Sequence, residues 1–262
     1  GGGGGGDSLW QILNNQMGEF LEPSGSLVHG VYLKSTPVFG NSMSGFMAAG
    51  LGNTANGSQS VAMGYQNNAG GNFSFSAGYL CSASGDYAVA MGCENKALSL
   101  GDTAMGVEST ASGGGSSAIG KQNDATGSYA VAMGFNNTAS SAAATAIGQG
   151  NTASGNRSVA IGNTNTSSGE GSVALGQTCI STATGSFAAG NQSRAGSVGA
   201  VAIGQDCSTN AAWQVALGKS AHTTSNEPFM FRDGSGSTYW AFGYDASGPG
   251  VFVNGNRVGG GG

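Results

Sequence analysis

The chain has 262 residues with a net charge of −5; 51 are glycine and only 8% are charged, against about a quarter charged in typical domains. Four prolines and no Gly-X-Y period exclude collagen. Eight scattered Lys and Arg residues give no basic patch for nucleic acid, and no apolar run is long enough to insert in a membrane. What remains for so much Gly and Ala is a regular architecture of tight turns and closely approaching backbones.

The first segment, 1–41, does not repeat. Its start lacks a basic and then apolar leader, so no signal peptide is expected within 1–30, and the glycines at 1–6 and 259–262 read as joints or cut points. Asp7 could cap a short amphipathic helix carrying Leu9, Trp10, Ile12, Leu13, Met17, Phe20 and Leu21, with Pro23 as its stop. A solenoid end exposes unpaired backbone, so this segment is expected to serve as cap and attachment.

From Ser42 to Thr223 the chain repeats every 14 residues, thirteen times, without insertion or deletion. Representative copies are NGSQSVAMGYQNNA (56–69), TGSYAVAMGFNNTA (126–139) and SGNRSVAIGNTNTS (154–167). The ninth position is always Gly, as at Gly64, Gly134 and Gly218, and the second is often Gly. An unvarying Gly requires φ > 0 or a close backbone approach, so each copy is read as two corners and two short strands of a flattened parallel β-roll. Stacked at about 4.8 Å, thirteen turns would extend roughly 60 Å.

Period-two alternation then assigns faces. The seventh position is Ala in twelve copies (Ser76 is the exception) and the fourteenth is mostly Ala, which suits the thin interior of such a roll. The opposite arrangement, with the larger residues inside, needs a wider roll than 14 residues close. The sixth and eighth positions therefore face outward: Val61, Met63, Phe75, Val89, Met91, Met105, Ile119, Val131, Met133, Ile147, Val159, Ile161, Val173, Leu175, Phe187, Val201, Ile203, Val215 and Leu217. Where the sixth is large the eighth is Ala (Met47/Ala49, Phe75/Ala77, Phe187/Ala189). Such compensation belongs to a packed layer, and a stripe of this length exceeds what a monomer exposes. These residues are the expected interface of a homotrimer.

The last segment, 224–262, turns aromatic and β-rich, with an Asn254–Gly255 hairpin signal. It reads first as a β-cap with its own small core, and second as an aromatic receptor-binding tip.

Catalytic chemistry is not expected, nor is a cofactor or a metal. His29 and His222 lie at opposite ends of the repeat, and Asp102, Glu108 and Asp124 are scattered with nothing to pair them. The run Asp233–Ser237 faintly resembles a calcium loop, but an ordinary turn explains it better. Cys81, Cys179 and Cys207 stand at the twelfth position and Cys93 at the tenth. Cys179 and Cys207 are two turns apart, beyond disulfide reach. Unpaired thiols fit either assembly in a reducing compartment or buried, inert cysteines in a secreted protein.

The pentapeptides SVAMG, AVAMG, SVAIG and SVALG, 14 residues apart and joined by NTASG-like linkers, resemble the head repeats of YadA-like trimeric autotransporter adhesins over 42–223. The resemblance implies a left-handed parallel β-roll, three of which pack about one axis through the Val61- and Ile161-type residues. Similar repeats occur in phage tail fibres and in fibres of large viruses. With no heptads after Thr223 and with free cysteines, the preferred expectation is a trimeric viral (phage-like) fibre on the virion surface. It would bind a host-surface glycan or protein and join further virion or fibre subunits through its ends. The alternatives are the head of a bacterial adhesin at the cell surface, and a passive structural filament. The tenth position varies (Tyr65, Lys121, Phe135, Lys219), so a receptor site could span several turns.

Overall fold

The computed structural model describes residues 10–15, 18–23, 30–38, 42–224, 228–233, 239–245 and 248–258, with side chains from residue 45 onward apart from that of Tyr244. His29, and Gly234–Ser237 of the suggested calcium loop, lie outside the described residues. The described residues form strands and turns without helix, in a parallel β-solenoid. Two compact units divide the chain, 1–122 and 123–262.

In the first unit the amphipathic helix expected near residues 7–21 is replaced by a hairpin, Trp10–Asn15 antiparallel to Gly18–Pro23. Trp10, Ile12 and Phe20 favour a pleated strand, whereas Asn14, Asn15 and Gly18 are poor helix residues. Gly30–Val38 then pairs antiparallel with Ser42–Leu51, whose second half runs parallel to Val61–Tyr65. From there each turn contributes one five-residue and one two-residue strand. Val61–Tyr65, Phe75–Tyr79, Val89–Cys93, Thr103–Val107 and Ser117–Lys121 form one parallel sheet. Thr54–Ala55 through Thr110–Ala111 form the other.

The second unit repeats the pattern from Val131–Phe135 to Val215–Lys219. Phe229–Arg232 adds to that sheet in parallel, and Tyr239–Asp245, Gly248–Val253 and Asn256–Val258 continue it as an antiparallel meander. Asn254 and Gly255 both have positive φ, 49° and 78°, as a type I′ turn requires. Within both units the register has no stagger: residue i pairs with i+14, as in Ala90 with Ala104 and Ala146 with Ala160.

The interior is made of four positions per turn, not two. The seventh and fourteenth are buried as expected, with Ala62, Ala90, Ala132, Ala160 and Ala69 at 0% exposure. The fifth (Ser60, Ala88, Ser158) and the twelfth (Asn67, Asn137, Cys179) are buried beside them. Small side chains let two strands of one turn approach across the roll, so close packing here comes from Ala, Ser and Asn rather than from large aliphatic residues.

The ninth-position glycines carry φ between 108° and 133°, a region open only to Gly. A Cβ on Gly134 would sit 2.1 Å from the carbonyl oxygen of Gly148. Both reasons for the unvarying Gly therefore operate at once. Two further corner positions, the fourth and eleventh, are left-handed without being Gly in most turns: Phe73 has φ 57°, Leu80 55° and Thr164 56°. Each is held by an inter-turn bond; Phe73 N–H donates to Ser58 O at 2.8 Å and Leu80 N–H to Tyr65 O at 3.0 Å.

Candidate functional site

The twelfth position supplies the polar spine of each roll. In the second unit Asn123, Asn137, Asn151 and Asn165 stand one above another, fully buried. The Nδ2 of Asn151 donates to Asn137 Oδ1 (2.9 Å), Ile147 O (3.0 Å) and Gly162 O (2.8 Å). Its Oδ1 accepts from the backbone and side-chain nitrogens of Asn165, both at 3.0 Å. The first unit repeats the bond to the ninth-position carbonyl with Asn67 to Gly78 O (2.7 Å) and Asn95 to Gly106 O (2.6 Å).

At several turns without Asn the replacement makes the same reach. Ser193 Oγ donates to Gly204 O at 3.0 Å, and the thiols of Cys179 and Cys207 approach Gly190 O and Gly218 O at 3.3 and 3.1 Å. All four cysteines are free. Burial pushes the thiols of Cys81, Cys179 and Cys207 above their ordinary value, with nearby backbone hydrogen bonds opposing it. Protonated thiols of this kind serve as donors in the spine.

Asp102 corrects the expectation that the acidic residues have nothing to pair them. It occupies a fifth position, fully buried. Its Oδ1 accepts from Gly114 N, Ser116 N and Ser116 Oγ, each at 2.9 Å, and its Oδ2 from Ser99 N at 2.8 Å. It pins a corner in which Gly113-Gly114-Gly115 offers no side chain to do so. Glu108 accepts from Gln122 Nε2 at 2.8 Å. Gln214 plays a related part in the last turn, accepting from Asn210 N, Ala211 N and Thr223 Oγ1 and donating to Thr224 O.

The sixth and eighth positions lie on the outer face of the long-strand sheet in each unit. Their side chains are half-buried in the single chain, and Ile161 and Ile203 are exposed at 37% and 39%. The corner aromatics stack along the edges: Tyr65 on Tyr79 (5.3 Å, 8°) and Phe73 on Tyr87 (5.0 Å, 2°). Tyr129 and Trp213, at fourth positions of the second unit, are each 75% exposed.

Two polar clusters complete the surface. An open hollow of about 410 Å3 is lined by Leu80, Glu94, Lys96, Glu108 and Thr110. In the last turn Ser208 Oγ is 2.7 Å from His222 Nδ1, while His222 Nε2 stands 3.8 Å from Asp206 Oδ2. The second distance is too long for a hydrogen bond, and both side chains of that pair are about half exposed. Among the described residues no three metal-ligating side chains converge.

A small-residue roll with an apolar outer sheet is the geometry that the repeat pattern anticipated, and comparison with known families bears on it. Residues 47–80, 97–123, 125–151 and 153–177 match the YadA head domain repeat. This chain carries YadA-like head repeats. No curated protein matches it. YadA head domains are trimeric and adhesive, and both family and fold are structural rather than known as enzymatic. The YadA-like repeats here differ from turn to turn mainly at the corners, where the exposed aromatics and charges lie.

Proposed function

We propose that the chain is the reaching, adhesive head of a homotrimeric surface fibre, with an attachment segment at 1–41, head repeats at 42–223 and a β-rich terminal segment at 224–262. The observation that carries this reading is the row of half-buried Val, Ile, Leu and Met on the outer face of each unit, over a core of Ala, Ser and Asn. Burying each such side chain contributes about 1.5–3 kcal/mol, so the row favours association of three chains through Val61-, Met133- and Ile161-type residues. The corners would then face outward and offer the receptor surface.

The family match supports a bacterial trimeric autotransporter adhesin at the cell surface as the carrier. One observation favours a viral, phage-like fibre as the second reading. After Thr223 the sheet runs directly into an antiparallel meander rather than into a heptad-patterned stalk.

Sedimentation of the full chain tests the assembly, with Val159→Asp/Ile161→Asp as the perturbation. The parent is expected at three chains and the variant at one, because unpaired buried carboxylates cost several kcal/mol. A variant that remains a stable trimer would sink the stripe assignment. Adhesion is tested by binding of the labelled trimer to cells before and after glycosidase or protease treatment; binding to neither untreated cells nor matrix would leave only the passive filament.

A further inference from the structure

The outer face of the second unit does not stop at the last repeat. Phe229 is paired in register with Val215 and Phe231 with Leu217, so the two phenylalanines occupy the sixth- and eighth-position columns of the repeat sheet. The antiparallel partners keep the alignment. Phe242 is opposite Phe229 and Trp240 opposite Phe231; Val251 and Val253 follow opposite Phe242 and Trp240.

The two faces of this meander differ. On one, Met230, Ala241 and Phe252 are buried, Met230 joining the core cluster that holds Ala216 and Ala221. Arg257 closes that side, over the Phe252 ring at 6.0 Å and paired with Asp245 at 3.1 Å. On the other, Phe231, Trp240 and Phe242 are 49%, 50% and 53% exposed. A shallow hollow of about 430 Å3, lined in part by Phe229, Phe242 and Val251, opens on it.

We infer that this aromatic face is a self-association element, covered by the same face of two further copies of the chain. The inference rests on the trimer reading above and deepens it. Adjacent strands of one sheet are about 4.8 Å apart, so three chains that meet through Val215 and Leu217 bring Phe229 and Phe231 to the same axis. Four half-exposed aromatics and two valines present on the order of 500 Å2 of apolar surface. That is the size at which a patch marks an interaction site, yet it falls short of the roughly 800 Å2 per partner of a stable interface standing alone. The face therefore works as the end of the repeat stripe, where aromatic knobs and an apolar hollow fix the axial register of the three chains.

The test is iodide quenching of Trp240 emission in the full chain carrying Trp10→Phe and Trp213→Phe, with sedimentation on the same sample. A trimer in which Trp240 is shielded at least several-fold relative to the Val159→Asp/Ile161→Asp variant supports the inference. So does a Trp240→Ser/Phe242→Ser variant that needs more than tenfold higher concentration to trimerise. A stable trimer whose Trp240 is quenched as freely as in that variant overturns the inference, leaves the trimer standing, and opens the face to a receptor instead. A monomeric parent chain overturns the trimer reading and this inference with it.

Discussion

Replacing Asn151 by alanine tests whether the buried Asn column, and not only the alanine packing, holds the turns in place. The substitution removes three donated bonds, to Asn137 Oδ1, Ile147 O and Gly162 O, and leaves the Asn165 N–H without the acceptor it now has at 3.0 Å. An orphaned buried donor costs about 1–3 kcal/mol and each lost bond about 1 kcal/mol net. Partial relaxation offsets some of this, so the expected loss is roughly 3–5 kcal/mol. Asn151→Ser should cost only about 1–2 kcal/mol, because Ser193 already makes the equivalent bond to Gly204 O at 3.0 Å. The assay is urea unfolding of both variants with amide exchange read at Asn165. A loss near 4 kcal/mol corresponds to about a thousandfold faster exchange there. Ala and Ser variants equal within about 0.5 kcal/mol would refute the reasoning, since the column would then contribute nothing beyond volume.

The remaining predictions probe other parts of the roll. Asp102→Ala is expected to destabilise the first unit by about 3 kcal/mol or more, because four donors lose their acceptor; thermal unfolding checks it, and a shift within error removes the corner-pin role. Gly134→Ala should cost at least about 3 kcal/mol, given φ of 116° and a Cβ 2.1 Å from Gly148 O, and soluble yield with circular dichroism reads the outcome. Raised thiol values at Cys81, Cys179 and Cys207 mean that the folded chain favours the protonated form. Their contribution is full below the unfolded thiol value of 9.0 and is lost as pH rises through the folded values. Urea midpoints should therefore fall above about pH 9, and less so in a Cys→Ser triple variant. Under native conditions a maleimide should label the half-exposed Cys93 first; faster labelling of Cys179 would contradict the burial described.

Sequence and structure agree where one residue type fills a position in every turn. Gly at the ninth position and Ala at the seventh declare their roles by never, or almost never, changing, and the parallel roll follows from them. The Asn254–Gly255 hairpin was equally legible, because the turn chemistry is local. The Asn column was not. Its position holds Asn, Ser, Cys or Ala, and within NTAS-like linkers it looks like loop; what relates the Asn residues to Ser193, Cys179 and Cys207 is the bond to the ninth-position carbonyl, which the sequence does not display. The left-handed fourth and eleventh positions were hidden for a similar reason: their conformation is imposed by an inter-turn hydrogen bond, and Phe73, Leu80 and Thr164 give no sign of it. Asp102 looked unpaired because neighbouring turns fill the fifth position with Ser or Ala, so no second acidic or basic residue recurs beside it. The N-terminal hairpin was missed because the seven apolar residues from Leu9 to Leu21 fit a helical stripe as well as a pleat.

The unstaggered pairing of residue i with i+14 has an evolutionary corollary. Duplicating or deleting any 14-residue block leaves every Gly over Gly and every Asn over Asn, so reach can change in steps of about 4.8 Å with no repair elsewhere. A change of one residue would instead turn alanines out and valines in along every later strand. The gene for such a head is therefore free to lengthen or shorten by recombination between its own copies, and is constrained against almost every other insertion.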